Sequence, residues 1–120
     1  MLKILIVDKD RYFLQTLRHI LESQRYKVFT IPGGNYLLSA LLSFRPDLIL
    51  MDKLEEEEGL SLCKMVKTGP FRDIPVFIMS ELNELKNKAF RAKADEFLEK
   101  PFSLRILLSK IYKVAGVLFN

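Results

Sequence analysis

The sequence predicts an α/β domain: an open five-stranded parallel sheet, strand order 2-1-3-4-5, doubly wound with five helices. Three observations predict it. Short apolar runs alternate five times with segments of helical periodicity. The runs are nearly continuous, as in strands buried on both faces. The connections are short, with no repeat, linker or low-complexity tract apart from four glutamates. Right-handed crossovers leave few arrangements for such a chain, and the favoured order has a topological switch point between strands 1 and 3.

Leu2 to Val7 ("LKILIV") is the first strand, and Phe13, Leu14, Leu17, Ile20 and Leu21 mark the first helix. "YKVFTI" is the second strand, closed by the turn signal Pro32-Gly33-Gly34. The second helix runs through Tyr36, Leu37, Ala40 and Leu41. Pro46 to Asp52 ("PDLILMD") is the third strand, followed by the acidic loop "KLEEEE" and a helix starting near Gly59. Ile74 to Ser80 ("IPVFIMS") is the fourth strand, and the fourth helix includes Leu82, Leu85 and Phe90. A short fifth strand lies near "EFLEK". The last helix carries Leu104, Leu107, Leu108, Ile111, Val114, Ala115 and Leu118 on one stripe, with Ser103 as its N-cap.

At 120 residues one domain is expected, with a single core burying about two thirds of the surface of the unfolded chain. No apolar run approaches the roughly 18 to 20 residues that cross a bilayer, and Met1 leads into a charged strand instead of a signal peptide. A soluble, cytoplasmic protein is expected, with no membrane partner. One cysteine and one histidine exclude an internal disulfide and zinc sites rich in sulfur or nitrogen, so a metal here would be held by oxygen. The net charge is +4, but basic residues are scattered among acidic ones, and nucleic acid is not an expected partner. Cys63 reads as core packing, His19 as a partly exposed helix residue, and the methionines and phenylalanines as following core periodicity.

Ligands of such sheets bind beyond the carboxyl ends of the strands. The sequence places there Asp8, Lys9 and Asp10, then Asp52 and Lys53, then Ser80 and Glu81, and finally Lys100. One aspartate at a strand end is an ordinary turn former, but the whole set marks a functional site. Clustered carboxylates repel by about 4 kcal/mol per pair at 4 Å and an effective dielectric near 20, so they require a cation. Magnesium takes oxygen ligands and leaves room for a phosphoryl group. An aspartate beside it can attack phosphorus while a lysine and a hydroxyl hold the transferred oxygens.

With "ILIVDKD", "PDLILMD", "IPVFIMS" and "ADEFLEKPF" in order at strand ends, the chain resembles a response-regulator receiver domain of two-component signalling, of flavodoxin-like fold, over essentially its whole length. The resemblance implies Asp52 as phosphoacceptor, Ser80 as the hydroxyl that follows the phosphoryl group, and Lys100 as its ion-pair partner. It implies Asp8, Asp10 and Asp52 around a magnesium ion, and Ser80 with Phe97 as the switch, Phe97 swinging inward on activation. It also implies a cis bond between Lys100 and Pro101 and a readout surface on strand 5 and the last two helices. The implied partners are a histidine kinase or phosphotransfer protein, an output protein or effector domain, and a second copy through the last helices. The chain ends where the fifth helix is expected to end, as in a stand-alone receiver or one domain of a longer regulator. No conventional enzyme is expected beyond self-phosphorylation and dephosphorylation.

Three positions depart from the family pattern. Lys9 stands where the family has a second acidic residue that ligates magnesium. Its ammonium either neutralises Asp8 and Asp52 or points away and leaves Asp10 to serve as ligand. Gly59 follows Asp52 by seven positions where the family has eight, which unsettles the metal-binding carbonyl that corresponds to Leu54 and raises Glu55 and Glu56 as substitutes. Glu81 replaces a small residue and should repel an incoming phosphate. The competing reading is a phosphorylation-independent interaction module whose pocket Lys9 holds shut. A flavin-binding carrier would need a phosphate-cradling loop after strand 1, where this chain has "DKDRYF".

Overall fold

The computed structural model describes residues 2–119, without the side chains of residues 115 and 117–119, so the expected stripe positions Ala115 and Leu118 lie outside it. Five strands, β1 (Lys3–Val7), β2 (Lys27–Ile31), β3 (Leu48–Asp52), β4 (Val76–Ser80) and β5 (Glu96–Glu99), form one parallel sheet in the order β2-β1-β3-β4-β5. The helices are α1 (Arg11–Ser23), α2 (Leu37–Ser43), α3 (Glu58–Lys67), α4 (Lys86–Arg91) and α5 (Leu104–Phe119). Short 3-10 turns, Gly34–Tyr36, Glu55–Glu57 and Asn83–Leu85, lead into α2, α3 and α4. This is the expected architecture.

Side chains that alternate along each strand divide the core in two. Leu5, Val7, Ile49, Met51, Val76 and Ile78 pack with Leu37, Leu41, Leu60, Cys63 and Ala89 under α2, α3 and α4. On the other face Ile4, Ile6, Leu48, Leu50, Phe77 and Met79 pack with Leu14, Leu17 and Leu21 of α1 and with Leu107 and Ile111 of α5. Both faces are covered, which is why the strands read as continuous apolar runs. Ser103 Oγ accepts from the Ile106 amide at 3.1 Å and caps α5 as expected.

Core periodicity does not extend to every methionine and phenylalanine. Met65 is 55% exposed, and Phe29 and Phe90 are each 43% exposed. Their spacing matches a helix or strand, but they stand on the solvent side of it; Phe29 stacks on Phe44 at 5.5 Å between centroids. Tyr36 is likewise exposed and belongs to the 3-10 turn, so α2 begins one residue later than the apolar spacing suggests.

Candidate functional site

Parallel register brings the site together. Val7 pairs with Met51, so Asp8 and Asp52 leave the sheet level with each other at the switch point. Met79 pairs with Asp52 and Ser80 with Glu99, which sets Ser80 and Lys100 one step further along the same edge. The Lys100 amide donates to the Ser80 carbonyl at 2.8 Å, and the bond from Lys100 to Pro101 is cis, as the resemblance implies. Asp8, Lys9, Asp10, Asp52, Lys53, Leu54, Ser80, Glu81, Leu82 and Lys100 line a cavity of about 340 Å³.

Lys100 is the centre of the arrangement. Its Nζ donates to Asp8 Oδ2 at 2.6 Å and to Asp52 Oδ1 at 3.0 Å. The other oxygens are also engaged: Asp8 Oδ1 accepts from the Asp10 amide at 2.9 Å, and Asp52 Oδ2 from the Leu54 amide at 2.9 Å. Asp8 is 1% exposed. Burial raises its carboxyl pKa, a tendency that the Lys100 and Asp10 hydrogen bonds oppose without cancelling. Burial alone would lower the Lys100 ammonium, but its bonds to Asp8 and Asp52 prevail and hold it above the usual lysine value. Phe13 covers this lysine, its ring centroid 4.1 Å from Nζ, in a cation–π contact, and meets Phe102 edge-on at 6.2 Å. The Ser80 hydroxyl, also 1% exposed, accepts from the Leu82 amide at 3.0 Å. Phe97, expected to swing inward on activation, already stands inward in the unphosphorylated chain, buried under α4 with Ala89, Ala92 and Ala94.

Lys9 turns away from the paired aspartates and onto Glu55, with which it forms a surface ion pair. Lys9 is 59% and Glu55 76% exposed. Lys100, not Lys9, neutralises Asp8 and Asp52, so the pocket is not held shut by Lys9 as the competing reading requires. The hydrogen bond to Glu55 raises the Lys9 ammonium, with smaller contributions from the charges of Asp52 and Asp8. Asp10 caps α1: its Oδ1 accepts from the Tyr12 and Phe13 amides at 3.0 and 3.1 Å.

The loop after Asp52 is strained. Leu54 (φ 60°, ψ −171°), Glu56 (φ 49°, ψ 36°) and Glu57 (φ 62°, ψ 25°) all have positive φ, a region that costs a residue with a Cβ about 1 kcal/mol or more. The Leu54 carbonyl accepts from Lys53 Nζ at 3.1 Å, and Glu57 pairs with Lys88 of α4 at 3.2 Å.

The magnesium ion implied by the resemblance would need Asp8, Asp10, Asp52 and the Leu54 carbonyl, with Glu55 or Glu56 as substitutes. Of those oxygens, Asp8 Oδ2 and Asp52 Oδ1 converge, and they do so on the Lys100 ammonium. Those of Asp8, Asp52 and Leu54 face lysines or main-chain amides, Asp10 caps a helix, and Glu55 holds Lys9. Among the described residues no three Asp, Glu, His or Cys side chains are grouped to hold a metal. As arranged, the donor set does not fit a divalent cation. From the sequence Phe13 is expected only as part of the first helix's apolar spacing and Lys53 only as a residue of the strand-end set, neither with a part in the site's chemistry. The signals are an aromatic in the first turn after "DKD" and a cation immediately after Asp52.

Comparison with known proteins agrees with the geometry. The family described as "Response regulator receiver domain" matches residues 4–112. The chain is 31% identical over 113 residues to response regulator MprA of Mycolicibacterium vanbaalenii and 30% identical over 112 residues to MprA of Mycobacterium tuberculosis H37Rv. In both cases 91% of this chain aligns with 48% of the relative, so it spans about half the length of these relatives. Among solved structures, the signal receiver domain of a signal transduction histidine kinase from Syntrophus aciditrophicus superposes with a TM-score of 0.89 at 31% identity, covering 100% of this chain and 95% of that one. A two-component response regulator from Clostridium difficile, at 23% identity, shares the fold over 100% of both chains with a TM-score of 0.89. The chain belongs to the response regulator receiver domain family of two-component signalling.

Proposed function

We propose that Asp52 is the phosphoacceptor of this receiver domain, and that its phosphorylation by a histidine kinase, a phosphotransfer protein or a small phosphodonor alters the face formed by α4, β5 and α5. One observation carries the reading: Lys100 bridges Asp8 and Asp52 in a cavity that Ser80 also lines. A phosphoryl group on Asp52 carries nearly two negative charges. It draws the Lys100 ammonium away from Asp8 and the Ser80 hydroxyl away from the Leu82 amide. Releasing Leu82 loosens the segment leading into α4, against which the buried Phe97 packs. Phe97 and Ser80 then act as the switch, shifting a population between two arrangements. Receiver domains in general hold magnesium at the acidic pocket. An output domain or output protein and a second copy docking through the last helices are the other partners proposed.

Acetyl phosphate added to the protein with magnesium, followed by intact-mass spectrometry, tests the reading. A single phosphate-sized mass gain that Asp52→Ala abolishes is the expected result. A wild-type chain that gains no mass, or an Asp52→Ala chain that gains as much, would overturn it.

A further inference from the structure

We infer that the pocket takes its phosphoryl group without a divalent cation, the ammonium groups of Lys9 and Lys53 supplying the positive charge at its rim. The inference rests on the reading of Asp52 as phosphoacceptor and adds what stabilises the charge there.

The carboxylate oxygens of Asp8 and Asp52 and the Leu54 carbonyl each already have a partner in this chain. Lys100 and two main-chain amides take the four carboxylate oxygens of Asp8 and Asp52. Lys53 Nζ takes the Leu54 carbonyl, Lys9 takes Glu55, and the Asp10 oxygen that faces α1 takes two amides. A divalent ion entering this cavity must break those contacts while two further ammonium groups remain beside it. Glu81, an exposed residue, is the remaining acid of the lining.

An incoming phosphoryl group meets the opposite situation. An Asp52 carboxylate oxygen forms a bond to phosphorus as the bond from phosphorus to the acetate oxygen breaks. Acetate leaves with the electron pair, and no proton or oxidant is consumed. After transfer the phosphoryl group carries about −2 and Asp8 carries −1. Lys9, Lys53 and Lys100, all lining the cavity, carry +3, so these five groups sum to about zero with no metal, while Asp10, held as the cap of α1, and Glu81 add two negative charges to the lining. Lys9 and Lys53 have long, flexible stems and need only exchange Glu55 and a backbone carbonyl for phosphoryl oxygens.

The test is the rate of mass gain with acetyl phosphate, measured in EDTA and in millimolar magnesium, together with amide NMR of the same protein titrated with magnesium chloride alone. The same rate in both buffers is expected, with no saturable shift of the Asp8, Asp52 or Leu54 amides. Lys9→Asp, on an exposed side chain, should make the reaction magnesium-dependent by at least about tenfold, and Lys53→Met should slow the wild-type reaction in EDTA by a similar factor. Mass gain only with magnesium, or saturable shifts of those amides, would overturn the inference and leave Asp52 as acceptor. A Lys53→Met variant as fast as wild type in EDTA also counts against it. No mass gain in either buffer would overturn the phosphoacceptor reading itself.

Discussion

Gly59→Ala is the sharpest test of how the sheet positions Asp52. Gly59 lies in the first turn of α3, and its amide donates to the Lys53 carbonyl. A Cβ built there meets the Asp52 carbonyl oxygen at 2.0 Å and the Lys53 carbonyl oxygen at 2.8 Å. Both are main-chain atoms and cannot rotate aside. Restoring a 3.0 Å contact requires α3 and the end of β3 to separate by 1.0 Å, the difference between 3.0 and 2.0. On helix propensity alone the substitution would gain about 1 kcal/mol, and overpacking of this kind costs about 1–3 kcal/mol, sometimes more. The main-chain clash puts the cost at the upper end, so a net loss of about 2 kcal/mol is expected. Urea unfolding followed by circular dichroism measures it. Gly33→Ala is the control: no atom lies within 4 Å of its built Cβ, its φ is −178°, and a gain of up to about 1 kcal/mol is expected. A Gly59→Ala protein within about 0.5 kcal/mol of wild type would refute the argument that this glycine is present for space.

Burial and backbone geometry elsewhere in the fold set three further outcomes. Asp8 has a raised carboxyl pKa, so its contribution to stability is present below the unfolded carboxyl value, about 3.9, and is lost as pH rises through the folded value. Asp8→Asn should therefore match wild type in strong acid and be the more stable protein near neutrality, and chemical denaturation across pH that shows it less stable at pH 7 would contradict this. The Cys63 thiol is fully buried, donates to the Ala92 carbonyl at 3.5 Å and is pushed up to about 12. Alkylation by iodoacetamide should proceed only as fast as the protein opens, and rapid labelling of the native chain would show that the face under α3 is not closed. Glu56→Gly relieves a left-handed residue whose side chain makes none of the loop's ion pairs. It should stabilise by about 1 kcal/mol, and calorimetry showing no gain would mean that the unfolded-state entropy of the added glycine outweighs the strain.

The strand order and the positions of Asp8, Asp52, Ser80 and Lys100 were legible in the sequence because each follows from where an apolar run stops. In a parallel sheet with right-handed crossovers, strand ends share one edge whatever the loops do. The direction of Lys9 was not legible. It depends on Glu55 standing within reach, and Glu55 stands there because Leu54, Glu56 and Glu57 adopt positive φ without a glycine to announce it. The solvent-facing Met65 and Phe90 were missed for a similar reason. Periodicity reports that a face repeats, but it does not say how far around the helix the sheet reaches. The Phe13 contact with Lys100 joins residues 87 positions apart, the difference between 100 and 13, and only the folded chain shows it.

The loop after Asp52 shows which interactions hold the site and which only charge it. Exposed ion pairs contribute about 0–1 kcal/mol, so Lys9 with Glu55 and Lys88 with Glu57 cannot by themselves hold three residues in a region that costs about 1 kcal/mol or more each. What holds them is buried: the Leu54 side chain is 3% exposed, its amide is fixed to Asp52, and Gly59 brings α3 against the end of β3 more closely than any other residue allows. The glutamates are therefore free to vary without cost to the fold. Their contribution is to surface charge, where Glu55 holds the Lys9 ammonium. The backbone of this loop positions the aspartate, and its acidic side chains pair with Lys9 and Lys88.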